Sequence, residues 1–126
     1  ANVYSLAALD RAAGNSFFGM ILANAGGAMS DFTPNREIES GRYGPVPFNL
    51  TRWAYFCGAK DPRPDRDGCP AMKKSAAWVE RRGGKTVLFL EDKEAGHAGF
   101  HQNDDHAESV LDKFKDIKKS PKLFAF

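Results

Sequence analysis

The chain has 126 residues, which is enough for one domain with a single core and too short for two. Hydrophobic residues make up 42% of it and charged residues 27%, a composition typical of a globular domain rather than a disordered segment. The net charge is only +2, and no apolar run approaches the roughly 18 residues of a membrane helix, so we expect neither nucleic acid nor a membrane as partner.

The first part of the chain predicts a helix, a strand and a long excursion. Residues 3–13 are rich in Ala and Leu, carry apolar residues at helical spacing and end at Gly14. The continuous apolar run Phe17–Asn24 predicts a strand covered on both faces, as in a parallel sheet. Residues 26–51 contain glycines and three prolines without a steady period, so we expect a long loop or cap excursion with a helical turn near Asn35–Ser40.

The middle of the chain predicts a second strand, a turn region and a helix. Arg52–Gly58 is an apolar run, and residues 59–68 form a turn region rich in Asp and Pro. Pro70 opens the helix, because proline in the first turn gives up no hydrogen bond, and Gly83-Gly84 ends it. We expect its buried stripe to consist of Met72, Ala76 and Val79.

The last part of the chain predicts a strand, a loop and a helix. Thr86–Leu90 is the strand, residues 91–102 form the loop, and Asn103 or Asp104 caps the helix. The basic stretch 113–122 is typical of a solvated helix end, where the helix dipole favours positive charge. The apolar stripe of this helix is formed by Ala107, Val110, Leu111, Phe114 and Ile117.

Helices and strands therefore alternate along the chain. Such alternation predicts an α/β fold of three layers, with parallel strands covered by helices on both faces. We expect one domain over residues 1–126, with 26–51 as its loop or cap excursion.

The two cysteines, Cys57 and Cys69, match no zinc-binding spacing. They leave open a disulfide across the intervening loop or two free thiols. Asn49-Leu50-Thr51 is a glycosylation acceptor pattern, although such triplets are frequent by chance. Together these features favour, only slightly, a secreted protein.

Two polar side chains follow neighbouring strands of the predicted sheet. Asp61 follows the second strand within GAKDPRPD, and His97 follows the third within AGHAGFH. Because the carboxyl ends of parallel strands form one rim of the sheet, these side chains can meet there. The carboxylate would hold the imidazole in one tautomer, and the imidazole would deprotonate a hydroxyl nucleophile and later protonate the leaving group. Such a pair needs neither a cofactor nor a metal.

The segment from Trp53 to Phe100 resembles the closing section of the α/β-hydrolase fold. That section has a strand ending in Gly-x-x-Asp, a helix, a further strand and Gly-His-x-Gly-Phe. Here these motifs are Gly58–Asp61 and Gly96–Phe100. The resemblance implies that Asp61 is the triad acid and His97 the triad base of an esterase-type serine hydrolase acting on a small-molecule ester.

The beginning of the chain resembles the same family. The Ala1-Asn2-Val3 helix is similar to the helix that follows the nucleophile motif, and FFGMILANAGG is similar to the next strand. No G-x-S-x-G occurs, however, so the nucleophile and the oxyanion hole are expected upstream or on another chain. The resemblance therefore implies the C-terminal part of the fold, inactive alone and packed against its N-terminal half.

Other residues could occupy these roles. Asp65 and Asp67 compete with Asp61 for the role of the acid in the same loop. Ser5 and Ser30 lack the sharp glycine-flanked turn of a nucleophile. A minor alternative is a metal cluster formed by His97, His101, His106, Asp104 and Asp105.

Two other functions stay open on the sequence. One is a serine peptidase of the same fold, because some peptidases share a similar Gly-x-x-Asp-Pro-Arg sequence. The other is a non-catalytic α/β-hydrolase-like binding module that has lost its nucleophile.

Overall fold

The structure is a computed structural model that describes residues 2–119. Ala1 and the end of the basic stretch, residues 120–126, lie outside the described residues. In chain order the elements are α1 (Val3–Ala12), β1 (Ile21–Asn24), α2 (Thr33–Glu39), β2 (Arg52–Gly58), α3 (Cys69–Glu80), β3 (Lys85–Asp92), α4 (Gly99–Gln102) and α5 (Asp104–Lys118).

The three strands form one parallel sheet in the order β1-β2-β3. β2 is central and all seven of its residues are buried, as its continuous apolar sequence predicts. In register, Tyr55 lies between Ala23 of β1 and Phe89 of β3. The protein is thus a small α/β fold, and the predicted parallel sheet is confirmed.

Helices cover both faces of β2, because alternate residues of a strand point to opposite sides. On one face, Trp53 stacks on Tyr4 of α1 with ring centroids 5.4 Å apart. On the other face, Phe56 contacts Phe100 of α4 and His106 of α5, with centroids 5.5 and 4.8 Å apart. The predicted arrangement of helices on both faces is therefore present.

The core is built around a cluster of aromatic rings. Phe48 and Trp78 lie 5.6 Å apart between centroids, and each also contacts another ring of the cluster. Phe48 belongs to the predicted excursion 26–51, which also contains α2 and contributes the buried Ile38. This segment therefore contains a helix and contributes side chains to the core, so it is not a continuous loop.

The first strand is shorter than its apolar run. The sequence predicted Phe17–Asn24, but β1 begins at Ile21 and the Phe17 side chain is 82% exposed. The reason is local, since the backbone N–H of Phe17 donates to the carboxylate of Asp10 at 3.0 Å. This bond ties Phe17 to the end of α1 and away from the sheet.

The last two helices also differ from expectation. The segment 91–102, predicted as a loop, contains the short helix α4. The first two residues of this segment belong to β3, which ends at Asp92. Asn103 caps α5 as predicted, accepting a hydrogen bond from the N–H of Asp105 at 3.0 Å. Of the predicted stripe, however, Ala107 and Leu111 are exposed. The helix packs along the edge that contains His106, Val110, Phe114 and Ile117.

The two cysteines are joined in a disulfide between the end of β2 and the first residue of α3. Both are buried, and they enclose the loop that contains Asp61. Among residues 2–119, none of the helices has the length and apolar content needed to cross a membrane.

Candidate active site

Asp61 lies at the carboxyl end of the central strand, three residues after Gly58. Its side chain is only 1% exposed. One carboxylate oxygen, Oδ1, accepts the backbone N–H of Arg63 at 2.8 Å, which fixes the rotation of the carboxylate. The other oxygen, Oδ2, points to the loop that follows β3.

His97 lies in that neighbouring loop, and its ring faces Asp61. Nδ1 of His97 is 2.9 Å from Oδ2 of Asp61, within hydrogen-bonding distance. The His97 side chain is 51% exposed, so one edge of the ring is held by the buried acid while the rest is open. Among residues 2–119, no group makes a hydrogen bond to the opposite nitrogen, Nε2.

The two loops are held together by their backbones. Ala59 N–H donates to Asp92 O, and Lys60 N–H donates to Ala95 O, both at 2.9 Å. Gly58 makes this approach possible, because a Cβ there would lie 2.3 Å from the carbonyl oxygen of Gly96. Glycine at position 58 is thus required by the close packing of the two loops.

The competing acids of the same loop occupy different positions. Asp65 is exposed at the surface. Asp67 is buried, and its Oδ2 lies 2.7 Å from the guanidinium of Arg63. Asp61 is therefore the acid of this loop that contacts His97.

The proposed five-residue metal cluster does not assemble. Its histidine His106 pairs with Asp92, while His101, Asp104 and Asp105 are exposed. Within the described part of the chain, one group of three ligand side chains does gather, formed by Asp61, Asp67 and His97 with ligand atoms within 4.8 Å of one another. There Oδ2 of Asp67 also lies 2.7 Å from the guanidinium of Arg63, which offsets part of its charge.

A cavity of about 280 Å³ opens beside His97. The segment after β1 forms one wall and the Asp61 loop forms the other, and the lining includes Gly26, Met29, Phe32, Arg63 and Arg66. The described lining residues include no serine. Ser5 lies within α1, where its hydroxyl donates to Asn2 O, and Ser30 lines a different cavity beside α3.

Arg66, which lines this cavity, forms an ion pair with Asp31. Nη1 of Arg66 lies 2.8 Å from Oδ2 of Asp31, and the hydrogen bond between them lowers the pKa of Asp31 and raises that of Arg66. The pair joins the segment after β1 to the Asp61 loop.

A second histidine–carboxylate pair joins the end of β3 to α5, and the sequence did not predict it. Nε2 of His106 is 2.8 Å from Oδ2 of Asp92, the last residue of β3. This hydrogen bond is the main reason why the pKa of Asp92 is lowered, and the backbone N–H of Glu94 adds to it. A carboxylate at a strand end was the only signal in the sequence, since nothing indicated which helix residue would reach it.

The arrangement provides a histidine whose Nδ1 is held by a buried carboxylate and whose Nε2 is free for proton transfer. That is the geometry of a general acid–base pair. Comparison of the chain with protein-family profiles, with curated proteins and with solved structures finds no match, so no family is assigned by similarity.

Proposed function

We propose that this chain supplies the acid and the base of a Ser-His-Asp hydrolase that cleaves carboxylic esters. In this proposal the chain is the C-terminal part of an α/β-hydrolase, and the nucleophilic serine belongs to an upstream segment or to another chain. The observation that carries the proposal is the 2.9 Å contact between His97 Nδ1 and Asp61 Oδ2, formed by side chains that follow neighbouring parallel strands.

The proposal gives each side chain a role. Asp61 accepts a hydrogen bond from Nδ1–H, which keeps His97 in the tautomer with a lone pair on Nε2. Nε2 takes the proton of the serine hydroxyl as the serine oxygen attacks the ester carbonyl, and then returns it to the departing alcohol. In the second half-reaction, His97 activates the water that releases the acid from the acyl-serine. Asp61 stays ionised and stabilises the imidazolium formed in both steps.

The position of the cavity supports the same proposal. His97 is one of its lining residues, and the cavity lies between the segment after β1 and the Asp61 loop, so an ester bound there would lie beside the His97 ring. Met29 and Phe32 make part of its wall apolar, which suits the hydrocarbon part of a small ester.

The open edge of the sheet supports a partner that completes the fold. Among residues 2–119, β1 pairs with β2 alone, so within that range its other edge presents unpaired backbone groups. Beside it lies an apolar groove of about 200 Å³ lined by Val3, Leu6, Ala7, Phe18, Met20, Ile21 and Leu22. We propose that the serine-bearing half of the fold covers this edge.

A serine-directed fluorophosphonate tests the function. The chain is assembled with the segment that carries the nucleophile, and mass spectrometry identifies any labelled serine. We expect one serine to be labelled, at a rate that falls at least 100-fold in His97→Gln because the general base is lost. His101→Gln is the matched control, since His101 is exposed and lies in α4, four residues after His97.

The outcomes separate the alternatives. Labelling together with hydrolysis of an unactivated alkyl ester and no measurable cleavage of a peptide anilide supports the esterase, whereas cleavage of the peptide anilide supports a peptidase. An assembly with no labelled serine overturns the proposal in favour of a binding module. Labelling at a rate that His97→Gln leaves unchanged overturns the role of His97 as the base.

A further inference from the structure

Asp92 is a junction between the two loops of the candidate site. Its side chain accepts the N–H of Glu94 through Oδ1 at 2.9 Å and contacts His106 through Oδ2. Its backbone carbonyl accepts the N–H of Ala59 at 2.9 Å and that of Ala95 at 3.4 Å. One residue therefore ties the Asp61 loop, the His97 loop and α5 together.

The path from this junction to His97 is short. Ala95 follows Asp92 by three residues and precedes His97 by two, and its carbonyl receives the N–H of Lys60. Lys60 in turn is the residue before Asp61. The backbone bonds of Asp92 and Ala95 therefore lie close to both residues of the His97–Asp61 contact.

His106 fixes the carboxylate from the far side. Its side chain is only 14% exposed, and its ring packs against Phe56 and Phe100, with centroids 4.8 and 6.2 Å apart. An aromatic ring alone would fill this space. The 2.8 Å contact to Asp92 requires in addition a nitrogen at the ring edge, which phenylalanine lacks.

We propose that Asp92 and His106 form a positioning pair that sets the place of the His97 loop and so maintains the hydrogen bond between His97 and Asp61. The pair acts through the backbone of residues 92–97 and touches no substrate. Its consequence for catalysis rests on the proposed hydrolase function, whereas its effect on His97 is a property of this chain.

Nitrogen NMR of the histidine rings tests the pair directly in the 126-residue chain. The chain is labelled with ¹⁵N-histidine and studied at about pH 8.5, where free imidazole is neutral. The ring ¹⁵N shifts give the fraction of His97 that carries its proton on Nδ1. Asp61→Asn shows the ring ¹⁵N shifts of His97 when its contact with position 61 is broken. His101→Gln is the control, because it replaces a different, exposed histidine.

Two substitutions at position 106 separate positioning from packing. His106→Phe keeps the ring against Phe56 and Phe100 but removes the nitrogen, whereas His106→Gln keeps an N–H donor and loses the ring. We expect His106→Phe and Asp92→Asn to lower the ratio of the Nδ1–H to the Nε2–H tautomer of His97 at least threefold. His106→Gln should retain most of the wild-type ratio, and His101→Gln all of it.

The proposal is overturned if folded His106→Phe and Asp92→Asn both keep the wild-type tautomer ratio of His97. If either variant does not fold, Asp92→Glu replaces it, because it keeps the charge and moves the carboxylate by one methylene. An unchanged ratio in Asp92→Glu also overturns the proposal. The NMR test needs no nucleophile, so its failure is distinct from a failure of phosphonate labelling, which bears on the function alone.

Discussion

Burial and hydrogen bonding distinguish the three aspartates of the loop after β2. Asp61 is buried and holds His97, while Asp65 is exposed, although both are acids in the same turn region. For the proposed hydrolase, assembled with its serine-bearing segment, we expect Asp61→Asn to lower kcat by about 10⁴-fold, because the amide favours the wrong tautomer of His97. The rate of ester hydrolysis at neutral pH and saturating substrate measures this loss of kcat.

Asp65→Asn is the matched control for that substitution, with the same chemical change four residues later. It should alter kcat by less than about twofold, as expected for an exposed group that contacts no reacting atom. Equal losses in the two variants would mean that the charge of the loop, and not the contact with His97, supports catalysis.

Asp92 makes the stability of the chain depend on pH. Its pKa is lowered from the ordinary value of 3.8, first by the hydrogen bond with His106. A carboxyl whose pKa is lower in the folded state stabilises that state above the unfolded pKa, and the contribution is lost as the pH falls through the folded pKa. Asp92→Asn should therefore lower the urea midpoint at pH 7, and the difference from wild type should shrink below pH 3.8.

Urea unfolding followed by tryptophan fluorescence from pH 2.5 to 7 measures this difference. Asp112→Asn, which removes an exposed carboxylate of α5, is the control and should leave the midpoint nearly unchanged at every pH. A gap between Asp92→Asn and wild type that stays constant below pH 3.8 would contradict the assigned role of the ionised carboxylate.

At the scale of elements, the site depends on how closely two loops cross. A Cβ at Gly58 would lie 2.3 Å from Gly96 O and 2.4 Å from Ala95 O, and neither backbone atom can move without moving His97. We expect Gly58→Ala to lower the free energy of unfolding by about 1–3 kcal/mol and to weaken the His97–Asp61 contact. Urea unfolding and the His97 ring ¹⁵N shifts measure the two effects.

Gly96→Ala is the control on the other side of the same crossing. A Cβ at Gly96 meets only Lys60 O, at an ordinary 3.8 Å, so the unfolding free energy should change little. If Gly58→Ala is as mild as Gly96→Ala, the loops are not as tightly packed as these distances imply.

The sequence predicts an element well where its whole length is buried and poorly where packing is one-sided. Arg52–Gly58 was predicted at its observed bounds, because a central strand is apolar at every position. Phe17 and Phe18 are equally apolar, yet the bond from Phe17 N–H to Asp10 removes them from the strand. The face of α5 was misjudged because His106, a polar residue, belongs to its packed edge.

The candidate site follows the same logic. The contact between Asp61 and His97 could be anticipated, because both follow neighbouring parallel strands and so approach one rim. The pair Asp92–His106 could not, since it joins a strand end to a helix whose orientation depends on tertiary packing. The disulfide between Cys57 and Cys69 was left open for a similar reason, because spacing alone does not fix the geometry of two thiols.

At the scale of the whole molecule, the β1 side of the sheet is open within residues 2–119. The structure leaves Leu6, Leu9, Phe17 and Phe18 exposed, and all four lie on α1 or just before β1. An open strand edge beside exposed apolar side chains favours association. We therefore expect the isolated chain to self-associate through the β1 edge.

Leu6→Glu tests this expectation against a matched control. Leu6 is 54% exposed and lines the groove at the β1 edge, whereas Leu111 is 53% exposed on α5, across the sheet. A glutamate at position 6 should weaken self-association by about 10- to 100-fold, since burying a leucine is worth about 1.5–3 kcal/mol. Leu111→Glu removes the same side chain from the opposite side and should leave self-association unchanged. Sedimentation equilibrium measures both constants, and equal weakening by the two variants would show that general hydrophobicity, rather than the open β1 edge, drives association.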